Sequence, residues 1–301
     1  MHNQDINGKE LDIECIREFI YKTKIYKPII HIGGGEPFMR HDLLDIISII
    51  KKNQLRCLIT TNGFLMNENI MKILINLKVD VLIFSLYGLE SVHDEITGVK
   101  GAFKKLKQNL EFFLGKRNKY TKVLISIIPL PENLAILQEM IRSLKYLGID
   151  GIKIEQLNFL SRNEYNLSTN NEVKHFNFSP STFISEGFFD QVFTNDLVRM
   201  HKNISHDYRD FVYFKPHLNK RQLVNWYCSL PHRYHKCIFI THSLFINYNG
   251  DIIPCQFFLS CKLGNIKKDS LEQIWRCKSY KILRKIINKE RPPVCMRCCK
   301  N

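Results

Sequence analysis

His31-Ile32-Gly33-Gly34-Gly35-Glu36-Pro37 is the stretch whose reading decides the fold. It follows Lys27-Pro28-Ile29-Ile30, a short β-branched run, and precedes Leu43-Leu44-Asp45-Ile46-Ile47, which is apolar at helical period. A strand ending in three glycines leaves backbone N–H and C=O groups open to a ligand, with no side chain in the way. Glu36 adds a fixed acceptor for an ammonium, and Pro37 stiffens the exit. A plain strand-to-helix turn uses the same residues, so the order of the surrounding segments has to carry the argument.

On the N-terminal side, residues 10–26 predict an amphipathic helix with Ile13, Ile16 and Ile20 on one face. On the C-terminal side strand and helix alternate. Strand 28–32 leads to helix 41–53, strand 55–61 to helix 67–77, and strand 79–86 to helix 102–114. Strand 121–128 leads to helix 133–147, stopped by Gly148, and strand 149–157 closes the series. Apolar strands separated by amphipathic helices predict a parallel sheet covered by helices, wound by right-handed crossovers into a barrel or an open sheet.

The polar residues of this series fall at the strand ends. They are Gly34-Gly35-Glu36, Thr61-Asn62-Gly63, Ser85 through Gly88, Ser126 through Pro129, and Glu155-Gln156. In a parallel barrel these ends share one rim, where ligands bind. Each also has a turn or capping role open to it, Asn62-Gly63 above all.

Composition sets outer limits. Of 301 residues, 45% are hydrophobic and 24% charged, which describes a globular protein of one large and one smaller domain. No apolar run approaches the roughly 20 residues of a membrane span, and Met1-His2-Asn3-Gln4-Asp5 does not open a signal peptide, so a cytoplasmic location is expected. The net charge of +15 is scattered over the predicted helices, which favours a solvated basic surface over a nucleic-acid site.

Ten cysteines in such a chain point to thiolate ligands more than to disulfides. Cys15 and Cys57 stand alone and read as small buried hydrophobes. The rest lie from Cys228 to Cys299. Residues 158–226 break the strand–helix pattern: Ser161–Ser179 reads as a loop, Ser179-Pro180 opens a helix to about Asn203, and Phe211–Phe214 reads as a short strand. Beyond Trp226, Ile238–Ile240 and Leu244–Asn247 read as a hairpin, with Asn249-Gly250 as the next turn. Ser270 and Gln273 form a capping box for a helix through Trp275 and Leu283. A CxxC at 295–298 and a cysteine pair on the hairpin can converge on one metal site or cluster. Spacing alone leaves zinc and iron–sulfur open; His232 and His235, read as a surface pair, keep zinc in play.

With these segments in order, the chain resembles a radical S-adenosylmethionine (AdoMet) enzyme with a C-terminal SPASM or twitch domain. The resemblance rests on Gly34-Gly35-Glu36-Pro37, with Gly33 where the family has a Thr, and on Thr60-Thr61-Asn62-Gly63 and Phe84-Ser85-Leu86-Tyr87-Gly88. It rests also on Cys237-x12-Gly250-x4-Cys255, Leu263-Gly264-Asn265-Ile266 and Cys295-x2-Cys298. It implies a partial six-stranded (β/α)6 TIM-like barrel, with its first strand missing here, and a small cysteine-rich C-terminal domain. The expected spans are a barrel core at 1–160, an insertion, last barrel helix and connector at 161–225, and the cysteine-rich domain at 226–301.

The resemblance implies AdoMet contacts at Gly34, Gly35, Glu36, Asn62, Ser85 and Ser126. It implies one auxiliary 4Fe–4S cluster on Cys228, Cys237 and Cys255, with a fourth ligand among Cys261, Cys295, Cys298 and Cys299. In complete form such an enzyme makes a 5′-deoxyadenosyl radical and modifies a substrate, here expected to be a peptide or protein. A flavodoxin or ferredoxin would donate electrons. The family's CxxxCxxC, which holds the AdoMet-reducing cluster, does not occur in this sequence. The expectation is therefore a fragment rather than a true loss of the cluster, and a chain inactive on its own. The rival readings are a catalytically dead peptide-binding module and a zinc-bearing nucleic-acid binder.

Overall fold

The computed structural model describes residues 10–170, 183–229, 236–289 and 292–298. Its strands are β1 (Ile29–Ile32), β2 (Arg56–Thr61), β3 (Val81–Ser85), β4 (Lys122–Ile127), β5 (Gly151–Glu155), β6 (Phe159–Ser161), β7 (Phe183–Ser185), β8 (Val212–Lys215), β9 (Phe245–Ile246), β10 (Asp251–Ile253) and β11 (Gly264–Asn265). The chain divides into two units. One is built mainly from Asp12–Glu155 and Met200–Tyr213, the other from Gln156–Arg199 and Phe214–Asn301.

The first unit is organised by a six-stranded sheet in the order β1-β2-β3-β4-β5-β8, parallel from β1 through β5. The helices expected from the apolar period form within two residues of their predicted ends, at Leu43–Lys52, Glu68–Asn76 and Ala102–Lys116. The helix expected over 133–147 forms as two pieces, Pro131–Leu134 and Leu137–Tyr146. A further helix, Glu90–Thr97, follows β3. Cys57, Ile59, Leu82, Phe84, Val123, Ile125, Ile152 and Ile154 are all buried. They are alternate strand residues and so share one face of the sheet. The opposite face carries the polar residues described below.

Three expectations are corrected, at Ser161–Ser179, at Ile238–Ile240 and at Cys15. Ser161–Ser179 does not begin as a loop: Phe159–Ser161 is β6, paired in parallel with β7, and Arg162–Asn170 is helical. Residues 171–182, which include the expected helix opening at Ser179-Pro180, lie outside the described residues, and the following helix spans Gln191–Asp207. The short strand near Phe211 exists and joins the large sheet as β8. Ile238–Ile240 is not half of a hairpin but part of a five-residue helix, Ile238–His242. Cys15 is partly exposed on the helix Ile13–Thr23, whereas Cys57 is fully buried as expected.

The second unit holds a three-stranded antiparallel sheet, β11-β10-β9. Asn249-Gly250 turns the chain between β9 and β10. The Asn247 Oδ1 atom accepts from the Asp251 and Asn249 N–H groups, and Gly250 takes φ +92°, which L side chains rarely adopt. The expected capping box is present: Ser270 Oγ accepts from Gln273 N, and Gln273 Oε1 accepts from Ser270 N. The helix it starts stops at Arg276, and a second one, Lys278–Lys289, carries Leu283.

Candidate functional site

The first candidate site lies along the strand ends of the large sheet. Among Gly33, Gly34 and Gly35, a Cβ added to any one would meet no atom within 4 Å, so the loop faces open space. Gly34 also takes φ +143°, which reserves that position for glycine. Glu36 is less available than expected. Its Oε1 accepts from Thr61 Oγ1 (2.7 Å) and Phe38 N (3.2 Å), and its Oε2 from Asn62 N (2.8 Å). A carboxylate has about four lone-pair positions; two here tie the β1 loop to β2 and its following residue, and a third caps the turn at Phe38. Asn62 is a turn residue as well, its Oδ1 accepting from Phe64 N at 2.9 Å.

Two buried asparagines fix the neighbouring loops. Asn109 donates to Gly63 O (2.8 Å) and Met66 O (2.9 Å). Asn133, fully buried, donates to Tyr87 O (2.7 Å) and Ile128 O (2.9 Å) and accepts from Leu130 N. It thereby ties the loops after β3 and β4. Behind the β3 loop, His93 is buried and accepts from Tyr87 N at 3.1 Å. Burial holds its pKa below the ordinary 6.5, with Asp94 pulling the other way.

Register brings a row of polar side chains onto the open face: Ser85 pairs with Ser126, and Ser126 with Lys153. Glu155, two residues on, shares that face. Its Oε2 accepts from Ser126 Oγ (2.8 Å) and stands 2.9 Å from Lys153 Nζ. Tyr87 joins the row: burial raises its pKa, a hydrogen bond with Ser85 lowers it, and Glu155 raises it again. Tyr213 of β8 is likewise raised, by burial and then by Glu155. At the β1–β2 end, His31 Nε2 lies 2.8 Å from Thr60 Oγ1. The structure thus places Gly34, Gly35, Glu36, Asn62, Ser85 and Ser126 along one rim. Tyr87 and Glu155, expected among the polar strand ends, join that row, and the structure adds Lys153 and Tyr213; period-two alternation in Gly-Ile-Lys-Ile-Glu was a readable signal for Lys153.

The second candidate site lies within the C-terminal unit. Cys237, Cys255, Cys295 and Cys298 line one apolar cavity, together with Phe239, Ile240, Phe257, Phe258 and Ile287. Cys237 caps the helix Ile238–His242, Cys255 follows β10, and Cys295 lies in the short helix Pro293–Met296. Among the described residues no group of three or more His, Cys, Asp or Glu converges within reach of a single metal ion. A cluster distributes four thiolates over several irons and does not need that convergence, so a ring of cysteines around an apolar cavity fits it. Cys228 stands elsewhere, its Sγ 3.1 Å from Thr194 Oγ1. Cys261 is buried in the same core without lining the cavity. Burial, with Cys277 adding to it, pushes its thiol up to about 12. Cys299, His232 and His235 lie outside the described residues.

Buried arginine, unexpected from the sequence, secures the CxxC turn. Arg297, between Cys295 and Cys298, is 1% exposed and pairs with Glu164, 3% exposed, on the helix Arg162–Asn170. It also donates to Trp226 O and Ser229 O and lies over the Phe159 ring. A charged residue between two cysteines was the available signal; its partner, 133 positions away, was not readable.

Residues 2–144 match the radical SAM superfamily, and residues 237–299 match SPASM, an iron–sulfur cluster-binding domain. The chain thus carries a radical SAM domain over a little under half of its length and a C-terminal SPASM domain. It is 23% identical to the tungsten-containing aldehyde ferredoxin oxidoreductase cofactor-modifying protein of Pyrococcus furiosus, over 99% of this chain and 81% of that one. Among solved structures it resembles SuiB of Streptococcus suis, at TM-score 0.68 and 18% identity over 93% of this chain. It spans 63% of the length of SuiB. It also resembles anSMEcpe bound to AdoMet and the Cp18Cys peptide, at TM-score 0.65 and 15% identity over 97% of this chain and 82% of that one. The described residues contain no helix long and apolar enough to cross a membrane.

Proposed function

We propose that this chain supplies the AdoMet-binding rim and the auxiliary-cluster domain of a radical enzyme that modifies a peptide or protein. The observation that carries the reading is the cavity ringed by Cys237, Cys255, Cys295 and Cys298 inside the segment that matches SPASM. The polar rim beside an open glycine loop, inside the segment that matches radical SAM, supports it. The bound groups supply reductive cleavage of AdoMet and hydrogen-atom abstraction from the substrate. The protein's own residues bind and orient. Gly33–Gly35 leave backbone polar groups open to the methionyl end, Glu36 fixes that loop, and Ser85, Ser126 and Glu155 offer hydroxyl and carboxylate contacts on the open face.

A peptide substrate is supported by the resemblance to SuiB, which is known bound to its precursor peptide SuiA, and to anSMEcpe bound to a peptide. The partial-barrel reading is supported by the parallel sheet and by Ile29 of β1, 53% exposed where the inner strands are buried. A flavodoxin or ferredoxin would serve as electron donor, and the cytoplasm as location. Because the 301-residue sequence holds no CxxxCxxC, the AdoMet-reducing cluster would draw on thiolates outside it. The test is anaerobic incubation of the iron- and sulfide-reconstituted chain with AdoMet and a strong reductant, followed by chromatography of the nucleosides. No 5′-deoxyadenosine above a no-protein control is expected. Its release would contradict this division of labour.

A further inference from the structure

Arg284 has a donor that nothing among the described residues uses. It lies on the helix Lys278–Lys289 with its guanidinium carbon 4.0 Å from the Trp275 ring centroid and 3.8 Å from that of Tyr280. Nε donates to Ile240 O (3.2 Å) and Nη1 to Trp275 O (2.9 Å). Nη2 is buried and meets no acceptor among the described residues. Guanidinium has five N–H donors and does not shed its proton, so a buried unmatched end carries a desolvation cost. Two rings and two carbonyls hold the plane in place, but carbonyls do not neutralise its charge. No carboxylate among the described residues pairs with it.

The surroundings say what the missing acceptor is. Ile240, whose carbonyl takes the Nε bond, lines the cavity with the four cysteines. Tyr280, fully buried, donates to the same carbonyl at 3.0 Å. The cation therefore stands against the Ile240 wall of the cavity. Four thiolates closing on a metal group bring in negative charge, and this is the one feature the fixed guanidinium lacks.

We propose that Arg284 is a positioning residue for the anionic metal–thiolate group on Cys237, Cys255, Cys295 and Cys298, its Nη2 donating to a sulfur of that group. This rests on the cluster reading above. A cation and an N–H···S bond favour the more negative, reduced form, so Arg284 raises the reduction potential of the group. A residue serving only to stack on Trp275 and Tyr280 would affect stability and leave the potential alone.

The experiment is an EPR-monitored redox titration of the reconstituted full chain as wild type, Arg284→Lys and Arg284→Met. At the wild-type midpoint, Arg284→Met should show a reduced-to-oxidised ratio about tenfold lower, a shift of about 59 mV for one electron. Arg284→Lys, which keeps the charge and loses the fork, should fall between. A wild-type midpoint in Arg284→Met overturns the proposal. Should that variant hold no iron, Arg284→Lys decides, and a wild-type midpoint there overturns it. Loss of iron from both variants supports the proposal if their metal-free forms melt with the wild type, and overturns it if those forms are equally destabilised. Wild-type protein without iron would instead defeat the cluster reading itself.

Discussion

Cutting the Arg297–Glu164 pair at one end should cost far more than removing both ends. Both side chains are almost wholly buried, at 1% and 3% exposure. Arg297→Met removes the cation from the Glu164 carboxylate, which also accepts from Ser161 N at 2.7 Å, and strips donors from the carbonyls of Trp226 and Ser229. An uncompensated buried charge costs about 3–5 kcal/mol, whereas apolar replacement of a whole buried pair is often close to neutral. Each abandoned carbonyl adds about 1–3 kcal/mol in both the single and the double variant, so it cancels in the comparison. The double variant Arg297→Met, Glu164→Leu should thus recover about 3 kcal/mol over Arg297→Met alone. At about 2–4 °C per kcal/mol for a domain of this size, that is on the order of 10 °C. The assay is thermal and urea unfolding of the metal-free protein, followed by fluorescence of Trp226 and Trp275. A double variant no more stable than Arg297→Met would refute the argument that the two charges are there for each other.

Three further outcomes follow from the rim and the loops behind it. Gly35→Val should abolish AdoMet binding, measured by equilibrium dialysis on the chain supplied with a CxxxCxxC segment, with Tm close to the parent because its Cβ meets open space; unchanged binding would reduce the glycine loop to a turn. Gly63→Ala should be costly instead, since φ is +73° and the new Cβ would stand 2.9 Å from the Phe84 ring; a Tm within 2 °C of wild type, roughly the spread of a neutral surface change, would contradict this. His93 is held neutral by burial, so its contribution to stability is fully present above pH 6.5 and is lost as pH falls toward its depressed folded value. His93→Gln should flatten the fall in Tm below that pH, and parallel curves for wild type and variant would speak against it.

Periodicity made the first unit legible. Five parallel strands and most of their helices follow from apolar runs and glycine stops, because each such strand has helices over it and needs little long-range information. The polar strand ends were equally readable, since a hydroxyl or carboxylate at the end of an apolar strand stands out. The connector was less so. Phe159–Ser161 is a strand because β7 pairs with it, and Arg162–Asn170 is a polar helix held from its Glu164 by an arginine 133 positions on. Neither cause leaves a local trace. Ile238–Phe239–Ile240 favours a strand by composition, yet packs as a helical turn with Cys237 at its start. The cysteines could be grouped by spacing. Which four face one cavity depended on tertiary contacts, and these place Cys228 beside Thr194.

The account stands most directly on what the four cavity cysteines hold. Chain reconstituted anaerobically with iron and sulfide should carry about four irons and show sulfur-to-iron charge-transfer absorption. Cys255→Ala and Cys298→Ala should lose both and leave residues 228–301 open to proteolysis, because metal binding is also folding energy for that unit. Cys228→Ala should keep them. A colourless protein with one zinc, or a Cys255→Ala variant that retains its iron and its fold, would contradict the account.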